Sequence, residues 1–208
     1  MIHVAADAWS YVWKLGLVAL VLITVGWWEA SLLPILLLLF VLFFFRDPER
    51  LIPLDPLHAV SPADGTVMRI DEIPADPFIG GPARKVVIFL SVFNVHINRA
   101  PVAGKVALVE YKRGEMLAAY KPEASEVNER NTIGIRGEKA SVKVNQITGL
   151  IARRIVCNVK EGDDLAQGQR YGLIKFGSCT ELVVPASATI LVKPGDKVAG
   201  GETVLARF

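Results

Sequence analysis

The chain has 208 residues, 52% of them hydrophobic, a formal net charge of +2 and two cysteines, Cys157 and Cys179. That length holds one ordinary domain plus an appendage. The charge is too weak and scattered for a nucleic-acid partner, and two cysteines, read as free thiols, exclude a disulfide framework or an all-cysteine metal site.

The mean hydropathy of +0.40 is high for a soluble protein, and the apolarity is concentrated at the N-terminus. From Leu15 to Trp28 no residue is charged, and after Glu29 a second uncharged run extends from Leu32 to Phe45, interrupted by Pro34. At about 1.5 Å per residue each run covers roughly 21 Å, short of the roughly 30 Å hydrocarbon core. Extended back to Tyr11, the first run takes in Lys14, whose ammonium can snorkel, while Trp13, Trp27 and Trp28 suit a membrane interface. Residues 1–45 therefore read as a membrane-anchoring helical hairpin that either crosses twice or dips in and returns. Arg46 and Arg50 follow it, and the positive-inside tendency then sets the rest of the chain on the cytoplasmic side, at the inner membrane of a cell. A cleaved signal peptide is the poorer reading, since no basic region precedes the apolar run.

Pro48, Pro53 and Pro56 make residues 46–60 an extended connector, and a folded domain is expected over 61–208. Its short apolar or β-branched runs, at 85–90, 102–109, 141–144 and 155–159, are punctuated by glycine and proline, which predicts a mainly β (α+β) fold. VKEGDDLAQGQ at 159–169 and VKPGDKVAGGE at 192–202 share their Gly-Asp turns and both glycines. Two similar hairpins packed against each other are expected, like the barrel-sandwich hairpins of lipoyl and biotinyl carrier domains. No lysine stands in a carrier's modification motif.

Three strips carry residues with chemical potential. Gly177-Ser178 alone is an ordinary turn dipeptide, Asp64 before Gly65 an ordinary turn former, and His96 alone a packing histidine. Cys179 reads as a small buried thiol. Glu115–Arg130, with alanines and mixed charges, reads as a helix or a mobile segment near lipid. Arg99, Arg130 and Arg153 are candidates for phosphate contact, with solvation the simpler reading for each.

Taken together and in order, FFFRDPER at 43–50, SPADG at 61–65, FNVHINRAPVAG at 93–104, NERN at 128–131, IARRIVC at 151–157 and GLIKFGS at 172–178 resemble the phosphatidylserine decarboxylase family, in its short bacterial and archaeal branch. The resemblance implies a proenzyme that cuts itself between Gly177 and Ser178 and converts Ser178 into a covalent pyruvoyl group. It implies decarboxylation of phosphatidylserine to phosphatidylethanolamine, a lyase step of phospholipid biosynthesis that uses no metal ion. It implies as partners the phospholipid, the membrane, the two cleavage fragments as a heterodimer and further copies of the chain. Where the longer-chain branch has a second histidine three places on, Arg99 stands here.

The chemistry explains the residue types. Attack of the Ser178 hydroxyl on the Gly177 carbonyl turns the peptide into an ester, and β-elimination leaves a dehydroalanine that hydrolyses to the pyruvoyl ketone. Glycine leaves that carbonyl unhindered. A serine hydroxyl needs a base, and His96 oriented by Asp64 is the family-matched candidate relay. The ketone then condenses with the substrate amine and accepts the electrons left as carbon dioxide departs, as pyridoxal phosphate does elsewhere. The same chemistry on another serine lipid, such as archaetidylserine, and a non-enzymatic membrane-anchored hairpin scaffold are the alternatives.

Overall fold

The computed structural model describes residues 2–118, 121, 123–150, 154–175 and 178–208. The chain divides into two compact units, Met1–Glu49 and Arg50–Phe208.

The first unit is a helical pair closed by a short ribbon. Strand β1 (Ile2–Val4) is followed by α1 (Trp9–Thr24) and α2 (Trp28–Phe44), and β2 (Arg46–Pro48) returns to pair antiparallel with β1, His3 opposite Asp47. Gly26, at φ +80°, makes the reversal between the helices. Many leucines of both helices, among them Leu17, Leu20, Leu32, Leu33 and Leu36, are exposed, which suits a lipid surround. The helical segment Ala6–Thr24 is 19 residues long and apolar enough to cross a membrane, and Trp28–Phe44 is a shorter apolar helix. The first segment starts before the uncharged run and so exceeds the length read from charge alone. The Arg46 guanidinium closes α2 by donating to Phe43 O and stacking on the Phe43 ring, where a cation suits the helix C-terminus.

The second unit is mainly β. In chain order its strands are β3 (His58–Val60), β4 (Gly65–Asp76), β5 (Gly81–Leu90), β6 (Ile97–Arg99) and β7 (Gly104–Lys112), a one-turn helix α3 (Ala124–Val127), then β8 (Arg130–Gly137), β9 (Ser141–Thr148) and β10 (Arg154–Cys157). They continue as β11 (Asp164–Leu165), β12 (Arg170–Lys175), β13 (Ser178–Pro185), β14 (Thr189–Ile190), β15 (Lys197–Val198) and β16 (Val204–Arg207). One large sheet runs β11-β7-β8-β9-β13-β5-β4-β15, and two small sheets run β10-β12-β6 and β14-β16-β3.

This order reads the same from both ends, and the sequence repeat is its origin. Gly162 N–H donates to Val106 O as Gly195 N–H donates to Val67 O, both at 2.8 Å. Asp163 Oδ2 accepts from the Lys160 amide as Asp196 Oδ2 accepts from the Lys193 amide. The two turns have φ of +94° and +96° at their glycines, a region open to glycine at little cost. Each hairpin thus adds a short strand to an opposite edge of the large sheet, β11 on β7 and β15 on β4. The repeat extends beyond the hairpins: SPADG at 61–65 and APVAG at 100–104 enter β4 and β7 alike. The two copies meet at the central antiparallel pair of β9 and β13.

Alternation along the strands sorts the side chains. Leu182 and Val184 of β13, with Val86, Ile88 and Leu90 of β5, lie in the main buried core. Cys179, with Val87 and Ile147, lies in a second cluster capped by Met68 and Phe89.

Candidate active site

Ser178 is the first residue of β13, at the step where the chain leaves a small sheet and enters the large one. Strand β12 ends at Lys175, and the two residues between, Phe176 and Gly177, lie outside the described residues, so the expected scissile carbonyl does too. Ser178 lies opposite Leu90 on β5 and Thr148 on β9. By alternation it shares the face of Thr180, Leu182 and Val184, turned to the main core. It is fully buried, and its Oγ has no hydrogen-bond partner among the described residues. Buried hydroxyls are nearly always bonded, so one without a partner calls for a functional explanation.

His96 is also buried, at the end of a turn built by its own motif. Asn94 Oδ1 accepts from both the amide and the hydroxyl of Ser91, at 2.9 and 2.8 Å, and fixes that turn. The ring Nδ1 lies 3.0 Å from Asn94 O. A carbonyl only accepts, so Nδ1 carries the proton, and in the neutral ring Nε2 is the basic nitrogen.

The hydrogen bonds of Asp64 go to other groups. Its carboxylate takes two hydrogen bonds from Arg50 Nη2, at 2.9 Å to Oδ1 and 2.8 Å to Oδ2, and a third from the Gly200 amide at 2.8 Å. Arg50 Nη1 reaches Glu202 at 3.1 Å, and Glu202 also accepts from the Leu51 amide at 2.9 Å. A guanidinium and an amide are strong partners for a half-buried carboxylate, and they engage both oxygens of Asp64. Arg50, read from sequence only as a topogenic charge, is the counter-ion of Asp64. It also links the connector, the SPADG turn and the C-terminal hairpin.

The three strips meet instead through Asn98, two places after His96. Its Nδ2 donates to Thr180 Oγ1 at 3.1 Å and to Pro62 O at 3.4 Å, while Pro62 O also accepts from the Arg99 amide at 2.9 Å. Sequence reasoning passed over Asn98, Gln146 and Thr180. The available signal was a polar residue at alternate positions of runs that are otherwise apolar.

The remaining candidates separate. Arg99 is buried, its Nη1 donating to Gly168 O at 3.1 Å, which fixes the loop between β11 and β12. Arg130 reaches Ser125 O at 3.4 Å, and Arg153 lies outside the described residues. Burial pushes the Cys179 thiol well above its ordinary range, reinforced by the nearby Glu181 carboxylate, so this neighbour of Ser178 is an inert packing group. Within 115–130 the only helix among the described residues is the single turn α3. Asn128 ties the segment down, exchanging two hydrogen bonds with Leu117 and donating to Thr148 O, all at 2.8 Å.

Comparison with known proteins gives the family. Residues 37–206 match the family described as phosphatidylserine decarboxylase. A phosphatidylserine decarboxylase proenzyme of Carboxydothermus hydrogenoformans is 50% identical over 203 residues, 97% of this chain and 95% of the relative. Similar proenzymes of Symbiobacterium thermophilum and Cupriavidus pinatubonensis are 48% and 42% identical, each over 99% of this chain and 95% of the relative. The chain belongs to the phosphatidylserine decarboxylase family.

Proposed function

We propose that the chain is a proenzyme that cuts itself between Gly177 and Ser178 and then decarboxylates phosphatidylserine to phosphatidylethanolamine. Residues 1–45 anchor it in the inner membrane, with the β unit on the cytoplasmic side. The observation that carries this reading is the buried Ser178 hydroxyl, unpartnered among the described residues, at the first position of β13 in a chain of this family.

In the cut, Ser178 Oγ attacks the Gly177 carbonyl carbon and its proton passes to a base. The C–N bond breaks, the Ser178 nitrogen takes up a proton, and an ester joins the two halves. Loss of the Ser178 Cα proton then expels the Gly177 carboxylate and leaves a dehydroalanine. Uptake of water and release of ammonia convert that residue to a ketone. His96 is the base, its Nε2 the basic nitrogen of the neutral ring when Nδ1 donates to Asn94 O. Asp64, paired with Arg50 and Gly200, ties the 61–65 turn to the connector and the C-terminal hairpin.

The residues present fit a pyruvoyl group. Formed from Ser178, it would stand opposite Leu90 and Thr148 in a buried position that no described side chain engages by hydrogen bonding. There it supplies an electron-accepting carbonyl for decarboxylation of an amino acid headgroup. Strand β13 is hydrogen-bonded on both sides, to β5 and β9, so the smaller fragment stays in the sheet after the cut as half of a heterodimer. Replacing Ser178 with alanine tests the reading: the variant stays whole and releases no carbon dioxide from phosphatidylserine vesicles. A cut or active Ser178→Ala protein overturns it.

A further inference from the structure

Asn98 is the point at which three catalytic strips touch, and it is itself held from behind. Its Oδ1 accepts from Gln146 Nε2 at 2.9 Å, and Gln146 Oε1 accepts from Asn131 Nδ2 at 2.9 Å. Asn98, Gln146, Asn131 and Thr180 are all buried. Asn131, Gln146 and Thr180 lie opposite one another on β8, β9 and β13, so they form one row across the inward face of the large sheet. Asn98 reaches that row from β6 of a small sheet, and no hydrogen-bond ladder links β6 to β13.

Three residues of this network each lie two places from a group at the site. Pro62 precedes Asp64 by two, Asn98 follows His96 by two, and Thr180 follows Ser178 by two. The β6–β12 ladder reaches His96, whose carbonyl accepts from the Ile174 amide at 3.3 Å, so alternation sets the His96 ring on the side of Asn98. The same alternation sets Ser178 on the side of Thr180. A two-residue step along a strand is about 6.6 Å, so the Asn98–Thr180 contact fixes the spacing one step away. The amides run in one direction, donor to acceptor, from Asn131 through Gln146 and Asn98 to Thr180. An apolar row would pack here as readily; a satisfied polar row selects one arrangement.

We propose that Asn98, backed by Gln146 and Asn131, is a positioning residue that sets β6 against β13, and so His96 against Ser178, for the self-cleavage step. This rests on the self-cleavage reading above. Asn98 touches neither reacting group; it acts through the two strands.

The test follows appearance of the 178–208 fragment during cell-free synthesis with phospholipid vesicles, alongside the thermal unfolding midpoint. Thr180→Val keeps the side-chain shape and removes the hydroxyl that accepts from Asn98. It is expected to slow the cut about a hundredfold, the loss typical of a misplacement near 1 Å. Thr180→Ser, which keeps the hydroxyl, is expected to restore the rate. Asn98→Leu is expected to be slow as well, and the Asn98→Leu/Thr180→Val pair no slower than the poorer single variant, because both remove the same contact. If Asn98→Leu does not fold, the Thr180 pair alone decides. Folded Thr180→Val cutting at the wild-type rate overturns the proposal, and so does Thr180→Ser as slow as Thr180→Val. Ser178→Ala run in parallel separates the two failures. If it is cut, the self-cleavage reading falls and the positioning role with it; if it stays whole while Thr180→Val cuts normally, only the positioning role fails.

Discussion

Arg50 grips Asp64 with a single nitrogen, Nη2 lying 2.9 Å from one carboxylate oxygen and 2.8 Å from the other, while its Nη1 reaches Glu202. Residues from the connector, the SPADG turn and the C-terminal hairpin are thereby joined at one guanidinium. The pair is largely shielded, with side-chain exposures of 11% for Arg50 and 17% for Asp64, so removing the cation strands a carboxylate. Arg50→Gln is expected to destabilise the uncut protein by about 1–3 kcal/mol and to slow the cut. Arg50→Lys, which keeps the charge without the fork, should fall between. Denaturant unfolding in the Ser178→Ala background and fragment yield in the Ser178 background measure the two effects.

Cys179 adjoins Ser178 yet faces the other side of the sheet, among Val87, Ile147, Met68 and Phe89. Its raised thiol should resist alkylation in the folded protein and react after unfolding. Cys179→Ala should lower stability by roughly 1–2 kcal/mol while the chain still cuts itself. Loss of cleavage in a folded Cys179→Ala protein would give the thiol a chemical role.

Asp76 predicts an acid-sensitive element. Burial alone would raise its carboxyl, but the Lys143 ammonium and the amides of Ile79 and Phe78 outweigh that and hold the group below its ordinary range. A carboxylate lowered on folding contributes stability that is present above its unfolded pKa and lost as pH falls through the lower folded value. The unfolding midpoint should therefore drop below about pH 4, the ordinary aspartate range. Asp76→Asn should be less stable than the parent at pH 7 and should lose less on acidification. Equal acid sensitivity in both proteins would remove Asp76 from the account.

The cofactor is predicted to be internal. Borohydride treatment of the mature protein should abolish decarboxylation by reducing the ketone, and added pyridoxal phosphate should change nothing. Activity that depends on pyridoxal phosphate would contradict the Ser178 origin of the electron sink.

How far the sequence revealed this depended on the range of the interaction. The hairpin repeat was legible because a Gly-Asp turn is local: Gly162 and Gly195 adopt matching positive φ values, and their neighbours repeat at a fixed spacing. What the repeat could not convey was its extent, since β11 and β15 find their partners some 60 to 130 residues away along the chain. Ser178, His96 and Asp64 were singled out from strips in order. The partner of Asp64 was not, because nothing local links Arg50 to Gly200 across the whole unit. Asn98, Gln146 and Thr180 were missed for a different reason. Polar residues at every second position normally mark a solvent face, and here the polar row faces inward, paired only through contacts between distant strands. The first helix was legible as well, since Lys14 can snorkel from within it, and α1 begins at Trp9, two residues before the Tyr11 read from the sequence.

The central claim is that Ser178 becomes the blocked first residue of a separate chain. Intact-mass measurement on purified protein, with N-terminal sequencing of the smaller species, tests it most directly. The account predicts two chains, 1–177 and 178–208, the second resistant to N-terminal degradation because a pyruvoyl group has replaced the amine of Ser178, and a single full-length chain for Ser178→Ala. A wild-type protein that is active as one uncut chain, or a 178–208 fragment that begins with an ordinary serine amine, would contradict it.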